Sequence, residues 1–203
     1  MFRANQLGCS RRGIFCAAVF SLLLFVASEA CPHASLPAST LAEDLDGKPV
    51  DAFALSHGRV VVLLFVRTDC PISNRYAPRL QKLSEKYRGK ADFWLVYPDR
   101  EQTALQIRAH LEDFHYSIPA LRDTRHALVR RAEAMITPEA AVFDSSGRLL
   151  YHGRIDNWYE DVGRSRARAT THELEDAISA ALLGQTVTPD HAAAVGCYIS
   201  DLK

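Results

Sequence analysis

One stretch of this 203-residue chain sets a reactive residue type at a chemically useful position: Arg67-Thr68-Asp69-Cys70-Pro71-Ile72-Ser73-Asn74. The run before it, Val60 to Val66, is unbroken and largely β-branched, as a strand buried on both faces of a parallel sheet requires. After it, Tyr76, Ala77, Leu80, Leu83 and Tyr87 recur at helical spacing, and Pro71 suits a first helical turn. Cys70 is therefore predicted to stand where a central strand hands over to a helix N-terminus. Unpaired N–H groups and the helix dipole there favour thiolate over thiol, and the thiolate is the nucleophile. A cysteine acting only as a small core hydrophobe would need neither the helix start nor the proline.

The elements that hold this junction read as parallel α/β construction. Ala91 to Tyr97 is a second apolar strand, Thr103 to Phe114 a helix over the sheet, and Ile118 to Leu121 a short edge strand. Asp123 is placed to cap a third helix running through Ala134. Met135 to Asp144 and Leu149 to Tyr151, joined through Gly147, form an antiparallel hairpin. The arginine-rich residues 155–171 are predicted to be a surface excursion, and His172 to Leu183 a terminal helix stopped by Gly184. A smaller entry hairpin spans Asp44 to Val50.

Residues 1–30 read as a signal peptide: Arg3, Arg11 and Arg12, then apolar Ile14 to Ala27, then small residues at Ser28-Glu29-Ala30. Residues 31–39 are a tether, 40–184 one domain and 185–203 a C-terminal tail. The expected localisation is outside the cytoplasm, in a bacterial periplasm or anchored in the membrane facing it, through Cys31 as a lipidated first residue or through an uncleaved leader. Ser28 and Glu29 depart from the lipoprotein pattern. Without the leader, 21 basic and 23 acidic residues remain, a formal charge near −2, and no nucleic-acid footprint is visible. Cys9 and Cys16 leave with the leader, so Cys31, Cys70 and Cys197 remain, too few for a disulfide-stapled scaffold.

In these elements and motifs the chain resembles the thioredoxin-like superfamily and, within it, exported redoxin or AhpC/TSA-type proteins, over about residues 40–183. Asp69-Cys70-Pro71-Ile72-Ser73-Asn74 falls where such proteins carry their active-site cysteine, and Ile136-Thr137-Pro138 resembles their cis-proline segment. The resemblance implies an α/β thioredoxin-like fold, a central mixed sheet flanked by helices, working as a thiol-disulfide oxidoreductase with Cys70 as nucleophile. It implies that Pro71, Ser73, Thr137 and Pro138 bind substrate, Thr137 by main-chain contacts to an extended thiol. The implied partners are protein or small-molecule thiols and disulfides, with no cofactor and no metal.

Ser73 stands where dithiol members carry a second cysteine, so a mixed disulfide at Cys70 must be released by a thiol from elsewhere. Cys197 is the candidate within the chain. It could equally pack as a small hydrophobe between Val195 and Ile199. Nothing in the sequence fixes the tail's path, and the expectation leans towards an external thiol.

Three other functions stay open. A thiol peroxidase would resemble Pro-x-x-x-Thr-x-x-Cys, but Leu63 and Arg67 hold the proline and threonine positions. A Sco-like copper-handling protein would combine Cys70, Cys197 and a histidine, with His152 and His191 as donors. A thioredoxin-fold binding module would keep the architecture without the chemistry.

Overall fold

A strand with no polar side chain cannot lie at a sheet's surface, and every residue of Val60–Phe65 is buried in the computed structural model. The structure describes residues 41–200 and 202; the predicted leader, the tether with Cys31 and residue 40 lie outside the described residues. The elements are β1 (Ala42–Glu43), β2 (Pro49–Val50), α1 (Ala52–Leu55), β3 (Val60–Phe65), α2 (Pro71–Lys86), β4 (Ala91–Tyr97) and α3 (Ala104–Asp113). There follow β5 (Ala120–Arg122), α4 (Ala127–Ala132), β6 (Ile136–Thr137), β7 (Glu139–Phe143), β8 (Leu149–Gly153), β9 (Tyr159–Asp161), β10 (Arg164–Ser165), α5 (Glu173–Leu182), β11 (His191–Ala192) and β12 (Cys197–Tyr198).

The main sheet has eight strands in the order β11-β8-β7-β3-β4-β5-β1-β2. β3, β4 and β5 run parallel, and β7 lies antiparallel against the other side of β3. Alternate residues of β3 serve two cores, as the two-residue period of a strand demands. Val60, Val62 and Leu64 pack with Tyr76 and Leu80 of α2, Ile107 of α3 and Ile178 of α5. Val61, Leu63 and Phe65 pack with Ala52 of α1 and Leu128 and Val129 of α4. This is the expected mixed sheet flanked by helices.

Two local expectations are corrected. Residues 118–121 do not end in an edge strand, because β1 of the entry hairpin adds antiparallel to β5 through Glu43 and Arg122 and covers it. Residues 155–171 are not wholly a surface excursion: Ile155, Asp156 and Tyr159 are buried, and β9 and β10 pair as a small hairpin. Asp123 does serve the helix after it, its carboxylate accepting from the amides of Ala127 at 2.8 Å and Val129 at 2.9 Å.

The tail turns back into the fold. β11 extends the main sheet parallel to β8, so close that a Cβ on Gly153 would fall 2.0 Å from the Ala192 carbonyl oxygen. β12 then pairs antiparallel with β6, setting Cys197 opposite Thr137 and Tyr198 opposite Ile136. Among the described residues no helix is long and apolar enough to cross a membrane.

Candidate active site

β3 delivers the chain to a short polar loop, and α2 starts immediately after it with Cys70 as N-cap and Pro71 in the first turn. The loop is braced from both sides. The Arg67 guanidinium bonds both oxygens of Asp69 at 3.0 Å and reaches Asp99 at 2.9 Å, and Gln102 donates to Asp69 at 3.2 Å. Asn74 Nδ2 donates to the Thr68 carbonyl at 3.0 Å, which leaves Asn74 Oδ1 to accept from His110 Nε2 at 2.8 Å. With the ring held neutral by burial, His110 Nδ1 accepts from the Tyr97 hydroxyl, also at 2.8 Å, as the Nε2–H tautomer. Burial holds the His110 pKa below its usual value, against a smaller upward pull from Asp113.

Cys70 is 1% exposed. Its thiol donates to the Thr137 carbonyl at 3.2 Å, and the Thr137–Pro138 bond is cis. Cys197 Sγ lies 2.9 Å from Cys70 Sγ, in contact yet unbonded. The tail can lie this close because residue 196 is glycine: a Cβ there would fall 2.1 Å from the Thr137 carbonyl oxygen. Thr137 Oγ1 also donates to the Cys197 carbonyl at 3.3 Å.

The two protonation states of Cys70 take different partners. Burial alone pushes the thiol's pKa up, but hydrogen bonds from Cys197, from the Ser73 amide and hydroxyl, and from the Ile72 amide outweigh it, and the net shift is down. Ser73 Oγ is fully buried and without a hydrogen-bond partner beside the thiol, so a thiolate gives it its acceptor. For Cys197 the net shift is the other way, against a smaller downward pull from Arg67. Burial, the bond it gives Cys70 and repulsion from that sulfur push it up to about 11.

Cys70, Ser73, Thr137 and Cys197, singled out from sequence, meet at the start of α2, and Pro138 follows Thr137 through the cis bond. Pro71 is exposed and lines a groove of about 320 Å³ beside Cys197. Along the Thr137 main chain the structure sets the chain's own β12, with Cys197 opposite Thr137. Arg67, in the place of a peroxidatic threonine, is tied to Asp69 and Asp99. The His152 and His191 rings lie 4.5 Å apart at a 40° tilt, with His152 Nδ1 3.4 Å from Glu139. Among the described residues no group of three or more His, Cys, Asp or Glu is arranged to hold a metal ion.

Sequence reading missed a second cluster behind α2. Asp156, wholly buried, accepts from the Tyr76 hydroxyl and the Trp158 amide at 2.7 Å, and its other oxygen forms a 2.7 Å ion pair with Arg79. Burial first, and then the Asp156 charge, keep the Tyr76 hydroxyl protonated and so a donor. The polar composition of residues 155–171 hid this anchor.

Residues 58–149, which carry β3 through the start of β8, match the model of a thioredoxin-like family. The fold is thioredoxin-like. The same architecture appears in an uncharacterized conserved protein from Geobacillus kaustophilus, with TM-score 0.68 and 20% identity over 78% of this chain and 86% of that one. It appears also in a hypothetical protein from Sinorhizobium meliloti, with TM-score 0.66 and 22% identity over 78% and 88%. A third likeness is to an exposed lipoprotein thioredoxin from Streptococcus pneumoniae, with TM-score 0.51 and 18% identity over 71% and 97%. A sequence search among curated proteins finds no match. What sets this thioredoxin-like chain apart from a dithiol motif is local: the second sulfur arrives from the tail, and Ser73 remains as a hydroxyl donor.

Proposed function

We propose that this chain is an exported thiol-disulfide oxidoreductase whose redox couple is Cys70 and Cys197, with Cys70 supplying the stabilised thiolate and acting as the couple's nucleophile. The observation that supports this most is the 2.9 Å contact between the two sulfurs at a helix N-terminus. It favours a couple closed within the chain over the external thiol towards which the sequence leaned. In one turn the protein dithiol reduces a substrate disulfide to two thiols and is left with a Cys70–Cys197 bond; run in reverse, it oxidises two thiols. Export rests on the basic, apolar and small-residue order of residues 1–30.

Mass spectrometry of the oxidised protein, digested without reduction, is expected to find a Cys70–Cys197 peptide pair. Cys70→Ser is expected to abolish the full reduction of a model disulfide to two thiols, since no Cys70–Cys197 bond can then form, while leaving the melting temperature nearly unchanged. Full activity in that variant would sink the mechanism. N-terminal analysis of protein recovered from cells is expected to start after Ala30, and an intact Met1 would remove the cleaved-leader part of the reading.

A further inference from the structure

The two sulfurs differ most in access. Cys70 is 1% exposed, capped by Thr137 on one side and the returning tail on the other. Cys197 is only partly buried and lines the groove with Pro71, Ile72, Tyr159 and Val162, whereas Cys70 does not reach the groove wall. Disulfide exchange is an attack in which access decides which sulfur is hit, and the thiol of lower pKa leaves faster. In the oxidised state the tail is bonded to Cys70 and cannot swing aside to uncover it.

We infer that partner thiols exchange with this protein at Cys197, and that Cys70 is the shielded leaving group. This rests on the Cys70–Cys197 couple proposed above, and it moves the mixed disulfide away from Cys70, where the motif alone would put it. The step balances as follows. An external thiolate attacks Cys197 Sγ from the groove, a bond forms between the two, and the Cys70–Cys197 bond breaks with its electron pair going to Cys70. Cys70 leaves as a thiolate that Ser73 and the Ile72 amide can hold. A second external thiol then attacks the external sulfur of the mixed disulfide. It releases Cys197 as a thiolate, which takes up a proton, and the external pair departs as a disulfide. The protein gains two electrons and the two thiols lose them.

The groove also restricts which thiols enter. Arg75 is the one charged side chain among its lining residues, its guanidinium donating to the Tyr159 hydroxyl at 3.2 Å. A thiol carrying a carboxylate within reach of Arg75 matches it in charge. Reduced glutathione is such a thiol and serves as the probe.

The test maps the first adduct. Wild-type protein is oxidised until the Cys70–Cys197 peptide is found in a non-reducing digest, mixed briefly with reduced glutathione, quenched in acid, alkylated and digested. The expected product carries glutathione on Cys197 and the alkyl group on Cys70. Glutathione on Cys70 with Cys197 alkylated overturns the inference. Failure to find the Cys70–Cys197 peptide before glutathione is added is a separate result, and it removes the couple and the inference together.

Discussion

Ser73 has nothing to bond while Cys70 is a thiol and a charge to bond once it is a thiolate. Hydrogen bonds to charged groups are worth about 1.5–3 kcal/mol, and one pKa unit is about 1.36 kcal/mol. Ser73→Ala is therefore expected to raise the Cys70 pKa by about one to two units, read from the thiolate ultraviolet absorbance of the reduced protein. An unmoved midpoint would show the hydroxyl is idle. His110 yields a prediction of stability. Its folded pKa lies below the usual value, so in mild acid the unfolded chain takes up a proton that the folded protein refuses. The associated stability is present above about pH 6.5 and is lost as pH falls below it. His110→Gln, which can keep both hydrogen bonds, is expected to flatten that part of the slope in denaturant midpoints measured across pH; an unchanged slope would place its origin elsewhere. Cys70's position was legible because its signals are local: a buried run, a proline and a helical phase. His110 was not, because its bond to Asn74 spans 36 positions and depends on where α3 is laid over the sheet.

At the scale of elements, the long strands and helices are legible from their periodicity, and of the short ones the entry hairpin of β1 and β2 shows only through its turn residues. A two-residue strand such as β1, β6 or β12 has no period to detect, and its partner is set by the fold around it. Hence β5 was read as an edge and the tail was left without a path. The glycine at 196 was visible in the sequence, but its reason, contact with the Thr137 carbonyl, appears only once β12 is on β6. The segment leading into β9 was mistaken for surface because its anchor is a polar residue. Asp156→Ala would leave the Tyr76 hydroxyl and the Trp158 amide without their acceptor and remove the carboxylate paired with Arg79. Leaving a buried donor unsatisfied costs about 1–3 kcal/mol, and urea unfolding is expected to show a loss of that order. A loss under about 1 kcal/mol would mean that Asp156 does not anchor the segment.

Across the whole molecule, the proposed bond would join positions 127 apart in the chain. Loops of this size restrict the unfolded chain by about 4–5 kcal/mol in the entropy model. The oxidised protein is therefore expected to melt roughly 10 °C above the dithiol. Calorimetry of the two forms checks this, and Cys197→Ser should remove the difference; equal melting of the wild-type forms would contradict it. The same separation sets an order in time. At about 5–20 residues per second, a ribosome that has just added Cys70 needs roughly 6 to 25 s to reach Cys197. Until then Cys70 has no Cys197 to bond or to screen it, and any disulfide it makes is one the proposed couple does not contain. Adducts on Cys70 would thus mark a molecule's youth, and adducts on Cys197 its working life.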